Sequence, residues 1–203
     1  MLGIIDAPSS NARALLNSYL RLGIDAKLIS TGKAIDNAIG IIIPGVGNFK
    51  SLASDLESNG IRNAILCNYK KGKKILGVCL GMQILGNTSE ESSSTQGLEL
   101  LNFSTHKLNH NDFRIPHIGW NNVYTNKEHP VTKNLSKDFM AYFANSYGIF
   151  ENHSSTIGYY NLQDRMAAIV GSDNVIGFQF HPEKSQKIGL KLLSNFAEWC
   201  HES

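Results

Sequence analysis

Lys73-Lys74-Ile75-Leu76-Gly77-Val78-Cys79-Leu80-Gly81-Met82-Gln83-Ile84-Leu85 is the stretch that decides the fold. The apolar run Ile75 to Val78 reads as a short buried strand. It stops at a cysteine between two near glycines, Gly77 and Gly81, and helix-forming residues follow. Strand, sharp turn and helix, with a thiol at the turn, have the mechanics of a nucleophile elbow. Such a turn holds its side chain strained and exposed at the carboxyl edge of a sheet. Small neighbours are required where a Cβ would clash. A helix amino terminus behind the cysteine favours thiolate over thiol. A lone cysteine is more often a buried structural residue, so the elbow needs partners before it means chemistry.

Those partners stand near the C-terminus, in Val175-Ile176-Gly177-Phe178-Gln179-Phe180-His181-Pro182-Glu183. A strand delivers a histidine at its end, and a carboxylate follows two residues later. Cys79, His181 and Glu183, each at a strand end, form an activated-nucleophile triad. His181 takes the thiol proton and later protonates a leaving amine. Glu183 holds the imidazole tautomer and stabilises the imidazolium. A loop histidine or a solvated carboxylate is common singly; both beside a cysteine elbow are not.

The chain before the elbow alternates strand and helix. Leu2 to Asp6 reads as a first strand, and Ser10 or Asn11 can cap a helix bearing Leu15, Leu16, Tyr19, Leu20 and Leu22. Gly23 ends it. Asp25 to Ile29 and Ile39 to Ile43 are further strands. Near-continuous apolar strands alternating with helices imply a parallel sheet covered on both faces, an α/β fold. The first turn lacks the glycines of a dinucleotide fingerprint. The third strand runs into Pro44-Gly45-Val46-Gly47, where glycines let backbone N–H groups approach a ligand. Ser51 to Tyr69 is helical with a break at Asn59-Gly60, and Cys67 packs in the core. Asn87 to Gln96 is a polar surface loop.

From Leu98 to Tyr160 the pattern changes to short strand-like pieces: Leu98–Leu101, Asn122–Thr125, Met140–Phe143 and Thr156–Tyr160. Antiparallel strands added to the parallel sheet fit them. His106, His110, His117, His129 and His153 lie in this half without ligand spacing, so neither a metal nor a cofactor is expected. The last helix, Gln186 to Glu198, carries Ile188, Leu192, Leu193, Phe196, Ala197 and Cys200 on one stripe, with Lys187, Lys191, Asn195 and Glu198 facing out. Cys200 is structural.

At 203 residues the chain suits one domain, 1–203. A net charge of +2 implies neither a nucleic-acid nor a membrane partner. Three cysteines fit a reducing compartment rather than a disulfide framework. The N-terminal residues lack the charged and apolar regions of a signal peptide, and no apolar run approaches membrane-spanning length. A cytoplasmic protein is expected.

Gly77-Val78-Cys79-Leu80-Gly81-Met82-Gln83 together with Phe180-His181-Pro182-Glu183-Lys184-Ser185 resembles the class I (triad) glutamine amidotransferases, whose fold is flavodoxin-like. Ile43-Pro44-Gly45-Val46-Gly47-Asn48-Phe49 and Ile115-Pro116-His117-Ile118-Gly119-Trp120-Asn121 are similar to the glutaminase subunits of imidazole glycerol phosphate synthase. The likeness runs over nearly the whole chain. It implies glutamine hydrolysis through a Cys79 thioester, with ammonia passed to a (β/α)₈-barrel cyclase in a heterodimer for histidine biosynthesis. It implies oxyanion donors in Gly45, Val46 and Gly47 and at the Leu80 N–H. It places Gln83, Ser146 and Tyr147 on glutamine, and Asn11, Trp120, Tyr142 and Lys184 at the partner surface. It also implies a switch in which Val46 flips into the oxyanion hole. Two places depart from the family pattern: Ala7-Pro8-Ser9-Ser10 replaces a Gly-rich turn, and Asn145 stands where histidine is commoner. Two other readings fit the residues: a paralogous glutaminase supplying ammonia to another synthase, for example in sugar amidination, and a catalytically silent partner-binding module.

Overall fold

The strand of the elbow lies at the centre of the sheet. The structure, a computed structural model, describes residues 1–108, 114–162 and 164–202. In chain order the elements are β1 (Leu2–Ile5), α1 (Ala12–Arg21), β2 (Ala26–Ile29), α2 (Gly32–Asp36), β3 (Gly40–Gly45), α3 (Phe49–Glu57), α4 (Ile61–Lys70) and β4 (Lys74–Cys79). Then come α5 (Leu80–Gln83), β5 (Thr88–Ser89), β6 (Ser92–Gln96), β7 (Ser104–Lys107), β8 (His117–Thr125), β9 (Asp138–Asn145) and β10 (Tyr147–Gly148). The chain closes with β11 (Thr156–Asn161), β12 (Arg165–Gly171), β13 (Val175–Phe178) and α6 (Gln186–Trp199).

The large sheet has the order β2-β1-β3-β4-β13-β12-β11-β8-β9. From β2 to β13 the neighbours are parallel, and from β13 to β9 they are antiparallel. The parallel α/β sheet with added antiparallel strands is therefore present. Strand periodicity divides its core into two layers. Leu2, Ile4, Ile42, Leu76, Val78 and Ile176 face α1 and α6, where Leu15, Tyr19, Leu192 and Phe196 cover them. Ile5, Ile41, Ile43, Ile75 and Val175 face the other way, onto Phe49, Leu52, Ile61 and Ile65 of α3 and α4. No helix among the described residues is long and apolar enough to cross a membrane.

Several local expectations are corrected. Asn87–Gln96 is not a loop: β5 and β6 pair there as a hairpin in a second sheet, ordered β10-β7-β5-β6. Leu98–Leu101 is not a strand. The N–H groups of Leu98, Leu100 and Leu101 bond instead to the carbonyls of Ile84 and Leu85, which buries the leucines against the elbow. Cys67 is exposed. The polar side chain that α4 buries is Asn68, which donates to Asp36 at 2.7 Å and to the Ala64 carbonyl at 2.8 Å. Asn195 does not face out: its buried amide donates to the Val131 and Lys133 carbonyls at 2.9 and 2.8 Å. Helix α1 begins after Asn11 without a side-chain cap, because the Ser10 hydroxyl turns back to the Ala7 carbonyl at 2.7 Å. The break at Asn59-Gly60 is where expected, both residues having positive φ. His110 lies outside the described residues.

Candidate active site

Three glycines make room for the elbow. Cys79 ends β4 with φ 55° and ψ −111°, a conformation that costs about 1–3 kcal/mol outside glycine. A Cβ on Gly81 would run into the Ile43 carbonyl, and one on Gly77 would meet the Gly81 backbone. A Cβ on Gly45, the register partner of Cys79 on β3, would come within 2.7 Å of the Gly81 nitrogen. The turn is thus pinned between two parallel strands, and the strain is held by packing. Two expectations need correction. The helix behind the cysteine, α5, is a single turn, so little of a helix dipole stands behind the thiol. The cysteine is not exposed on the surface: it is 6% accessible and opens only into a cavity.

His181 reaches the same cavity from the end of β13. Its backbone N–H donates to the Tyr142 carbonyl at 2.8 Å, and its own carbonyl accepts from the Ser185 hydroxyl at 2.7 Å. That hydroxyl in turn accepts from the Tyr142 N–H at 3.0 Å, so Ser185 stitches the histidine to β9. His181 Nδ1 and Glu183 Oε1 lie 2.8 Å apart. The Cys79 sulfur is the other polar neighbour that acts on the ring. Burial opposes charge on the imidazole, but the hydrogen bonds and charges of Cys79 and Glu183 outweigh it and raise its pKa to about 10. The arrangement keeps the imidazole protonated at neutral pH beside the Cys79 sulfur. Such a pair supplies both a nucleophile and a proton for a leaving group.

The cavity measures about 350 Å³, room for a ligand the size of an amino acid. Val46, Gly47, Leu80, Gln83, Ser146 and Tyr147 line it together with Cys79, His181 and Lys184. Gly45 is not among its walls; its part is the close approach to Gly81. Gln83 Nε2 donates to the Tyr147 carbonyl at 2.9 Å and to Gln179 Oε1 at 3.1 Å, leaving its own carbonyl oxygen for a ligand. The Ser146 carbonyl accepts from Leu108 and the Tyr147 carbonyl from Asn145, so those two oxygens work inward. The Val46 N–H, expected as an oxyanion donor, is already engaged elsewhere. The Val46 N–H donates to the Ser9 carbonyl at 3.0 Å, and Ser9 is itself held by Asp55, whose Oδ2 accepts the Ser9 N–H at 2.9 Å. A larger hollow of about 580 Å³, between residues 125 and 137, shares no residue with the reactive cluster. The chemistry places the site at Cys79.

Sequence reasoning missed Glu91, Gln179 and Ser185. Glu91 lines the cavity, and its Oε2 accepts the Phe49 N–H at 2.7 Å, which fixes a carboxylate in the pocket wall, a complement to the ammonium group of an amino acid. It fell in a stretch read as loop. Gln179 carries no signal of its own between two strand-forming phenylalanines. On the outer face, Trp120 and Tyr142 are register partners whose rings meet edge to face at 6.0 Å, and Lys184 Nζ lies 5.5 Å from the Tyr142 ring centre. Ile118 and Met140 extend this exposed apolar strip. Asn11 stands apart from these contacts, half-buried at the start of α1, with its side chain uncommitted as a cap.

The model of the family "Glutamine amidotransferase class-I" matches residues 3–199. Imidazole glycerol phosphate synthase subunit HisH 1 of Parasynechococcus marenigrum is 39% identical over 207 residues, covering 98% of each chain. Subunit HisH of Caldanaerobacter subterraneus subsp. tengcongensis is 37% identical over 201 residues, again covering 98% of each. Among solved structures, PurLQS from Thermotoga maritima superposes with a TM-score of 0.78 at 20% identity, covering 98% of this chain and 97% of that one. A crystal structure of a glutamine amidotransferase gives 0.77 at 19% identity, covering 98% and 99%. At such identities the structural likeness speaks for the fold.

Proposed function

This chain belongs to the glutamine amidotransferase class-I family, alongside the HisH subunits of imidazole glycerol phosphate synthase, and from that premise we propose that it is the glutaminase subunit of such a synthase. The observation that carries the reading is the meeting of Cys79 and His181 at one amino-acid-sized cavity, with Glu183 held against the histidine at 2.8 Å.

The Cys79 sulfur attacks the side-chain amide carbon of glutamine. The oxygen takes up charge beside the Leu80 N–H and, once it is released from Ser9, the Val46 N–H. His181 gives its proton to the departing nitrogen as the C–N bond breaks, leaving a γ-glutamyl thioester and ammonia. The neutral imidazole then takes a proton from water, whose oxygen attacks the thioester, and glutamate leaves as the thiolate re-forms. Each oxyanion donor is worth roughly 3–4 kcal/mol where such donors have been removed. An oxyanion strand tethered at Val46 therefore supports a glutaminase that is weak alone.

Ammonia is useful only to a second active site. The relatives are named as subunits of a synthase, and the Trp120–Tyr142–Lys184 strip beside the cavity mouth is the surface we assign to the partner; Asn11 belongs to it on the family resemblance alone. The finer reading is a heterodimer with a (β/α)₈-barrel cyclase in the cytoplasm, the catalytic unit spanning 1–203. The test is glutamate release from glutamine by the purified chain, alone and with the organism's barrel cyclase plus its formimino nucleotide, with Cys79→Ala as control. Strong stimulation by the liganded cyclase is expected. Cys79-dependent hydrolysis without stimulation would keep the glutaminase and reject this partner.

A further inference from the structure

We infer that Gln179 is a positioning residue for the nucleophile: its side-chain amide donates to the Cys79 sulfur and, through Gln83, ties that sulfur to the floor of the ligand cavity. Gln179 is completely buried, and its backbone N–H is fixed to the Ala168 carbonyl of β12 at 2.9 Å. Its Nε2 is 3.9 Å from Cys79 Sγ, while its Oε1 accepts from Gln83 Nε2 at 3.1 Å.

The direction of the amide is decided two residues away. Gln83 Nε2 faces two oxygens, Gln179 Oε1 and the Tyr147 carbonyl, so only its amino group fits there. That choice leaves Gln179 presenting oxygen to Gln83 and hydrogen to sulfur. With Gln179 reversed, its amino group would face that of Gln83, and its oxygen would face the sulfur lone pairs. The Tyr147 carbonyl is held in turn by Asn145 Nδ2 at 3.0 Å, so the relay is anchored at the pocket end.

The donor matters because of what else the sulfur meets. The Ala144 carbonyl lies 3.8 Å from Sγ and can partner only an S–H. A buried anion without donors is costly. His181 supplies one donor, and Gln179 supplies a second that does not give up its proton during turnover. The amide thus holds the thiolate before it attacks and again as it re-forms when the thioester is hydrolysed. Gln83 also lines the cavity, so an occupant can bias the thiolate without touching Gln179.

The inference rests on Cys79 being the glutaminase nucleophile, but its test needs neither glutamine nor a partner. Alkylation of Cys79 by iodoacetamide is followed from about pH 5 to about pH 10 on the Cys79 peptide by mass spectrometry, since Cys67 is exposed and reacts too. Gln179→Met keeps the bulk and removes the donor; it is expected to move the midpoint of the profile up by about one unit, an effect of about tenfold in thiolate below it. Gln83→Met, which removes the orienting partner, is expected to give a smaller shift in the same direction. In glutamate release, Gln179→Met should lower kcat about tenfold or more with KM nearly unchanged. Alkylation profiles of both variants that overlay the parent's would overturn the relay, whatever the glutaminase assay shows. If Gln179→Met does not fold, Gln83→Met and Gln179→Glu carry the same readout. Loss of glutamate release in Cys79→Ala tests the glutaminase separately.

Discussion

His181 Nδ1 and Glu183 Oε1 stand 2.8 Å apart on side chains only 5% and 2% exposed. Together with Cys79 this contact outweighs burial and holds the imidazolium up to about pH 10. A group whose pKa is raised by folding adds stability below its unfolded value, near 6.5, and that stability is lost as pH rises through about 10. Glu183→Gln removes the countercharge and keeps the shape. We expect kcat to fall roughly 10²–10⁴-fold, in line with loss of the orienting carboxylate in other triads. The alkaline limb of the rate profile should move to lower pH. A variant with parental kcat across the pH range would remove Glu183 from the mechanism.

Gly81→Ala tests the interlock of the elbow. The added methyl has nowhere to go but into the Ile43 carbonyl, which is backbone and cannot swing aside. Overpacking at such a point costs about 1–3 kcal/mol or prevents folding. Gly72→Ala is the control, since its positive φ of 81° is strained for alanine but the space around it is open. Urea melts should show the Gly81 variant losing clearly more stability than the Gly72 one. Equal losses would mean that the elbow tolerates a side chain there.

The elbow and the clustering of Cys79, His181 and Glu183 were legible because each signal was local: an apolar run ending in Gly-x-Cys-x-Gly, and a histidine and carboxylate two apart after another such run. The parallel half of the sheet was readable from continuous apolar strands, which is what burial on both faces requires. The hairpin of β5 and β6 was not, because its serines and threonines pair by backbone at an exposed sheet and leave no apolar period. Leu98 to Leu101 misled for the opposite reason: they are buried by docking onto the elbow rather than by strand pairing. The place of Glu91 in the pocket and the tether between Ser9 and Val46 come from chain segments far apart in sequence, so no local pattern could show them.

His129 should make the protein sensitive to mild acid. Burial, with the nearby Lys74 charge, depresses its pKa to about 4. The ring is used in its neutral form, with Nδ1 accepting the Val131 N–H at 3.1 Å and the face of Trp199 4.7 Å away, centre to centre, at a steep angle. A depressed pKa means that the stability is present above the unfolded value, near 6.5, and is lost as pH falls through about 4. Allowing for partial exposure of the ring, the loss is about 1–2 kcal/mol. His129→Asn keeps a capping acceptor and removes the titration. Its melting temperature should fall less than the parent's between about pH 7 and about pH 4. Parallel falls would place the acid sensitivity elsewhere.

Asp55→Ala should raise the glutaminase rate of the chain on its own. The Val46 N–H cannot serve an oxyanion while it donates to the Ser9 carbonyl, and Ser9 is kept in reach by the Asp55 carboxylate. A hydrogen bond to a charged group contributes about 1.5–3 kcal/mol, so removing it should loosen the turn 7–10 and cost stability of that order. Part of that energy now holds the Val46 N–H on Ser9. With that hold reduced, the competent oxyanion strand is populated more often, and basal glutamate release should rise about three- to tenfold. The rate with a stimulating partner, which already pays for the flip, should change much less. A lower basal rate with an equally lowered stimulated rate would mean that Asp55 supports the site as a whole and that the Ser9 contact does not restrain Val46.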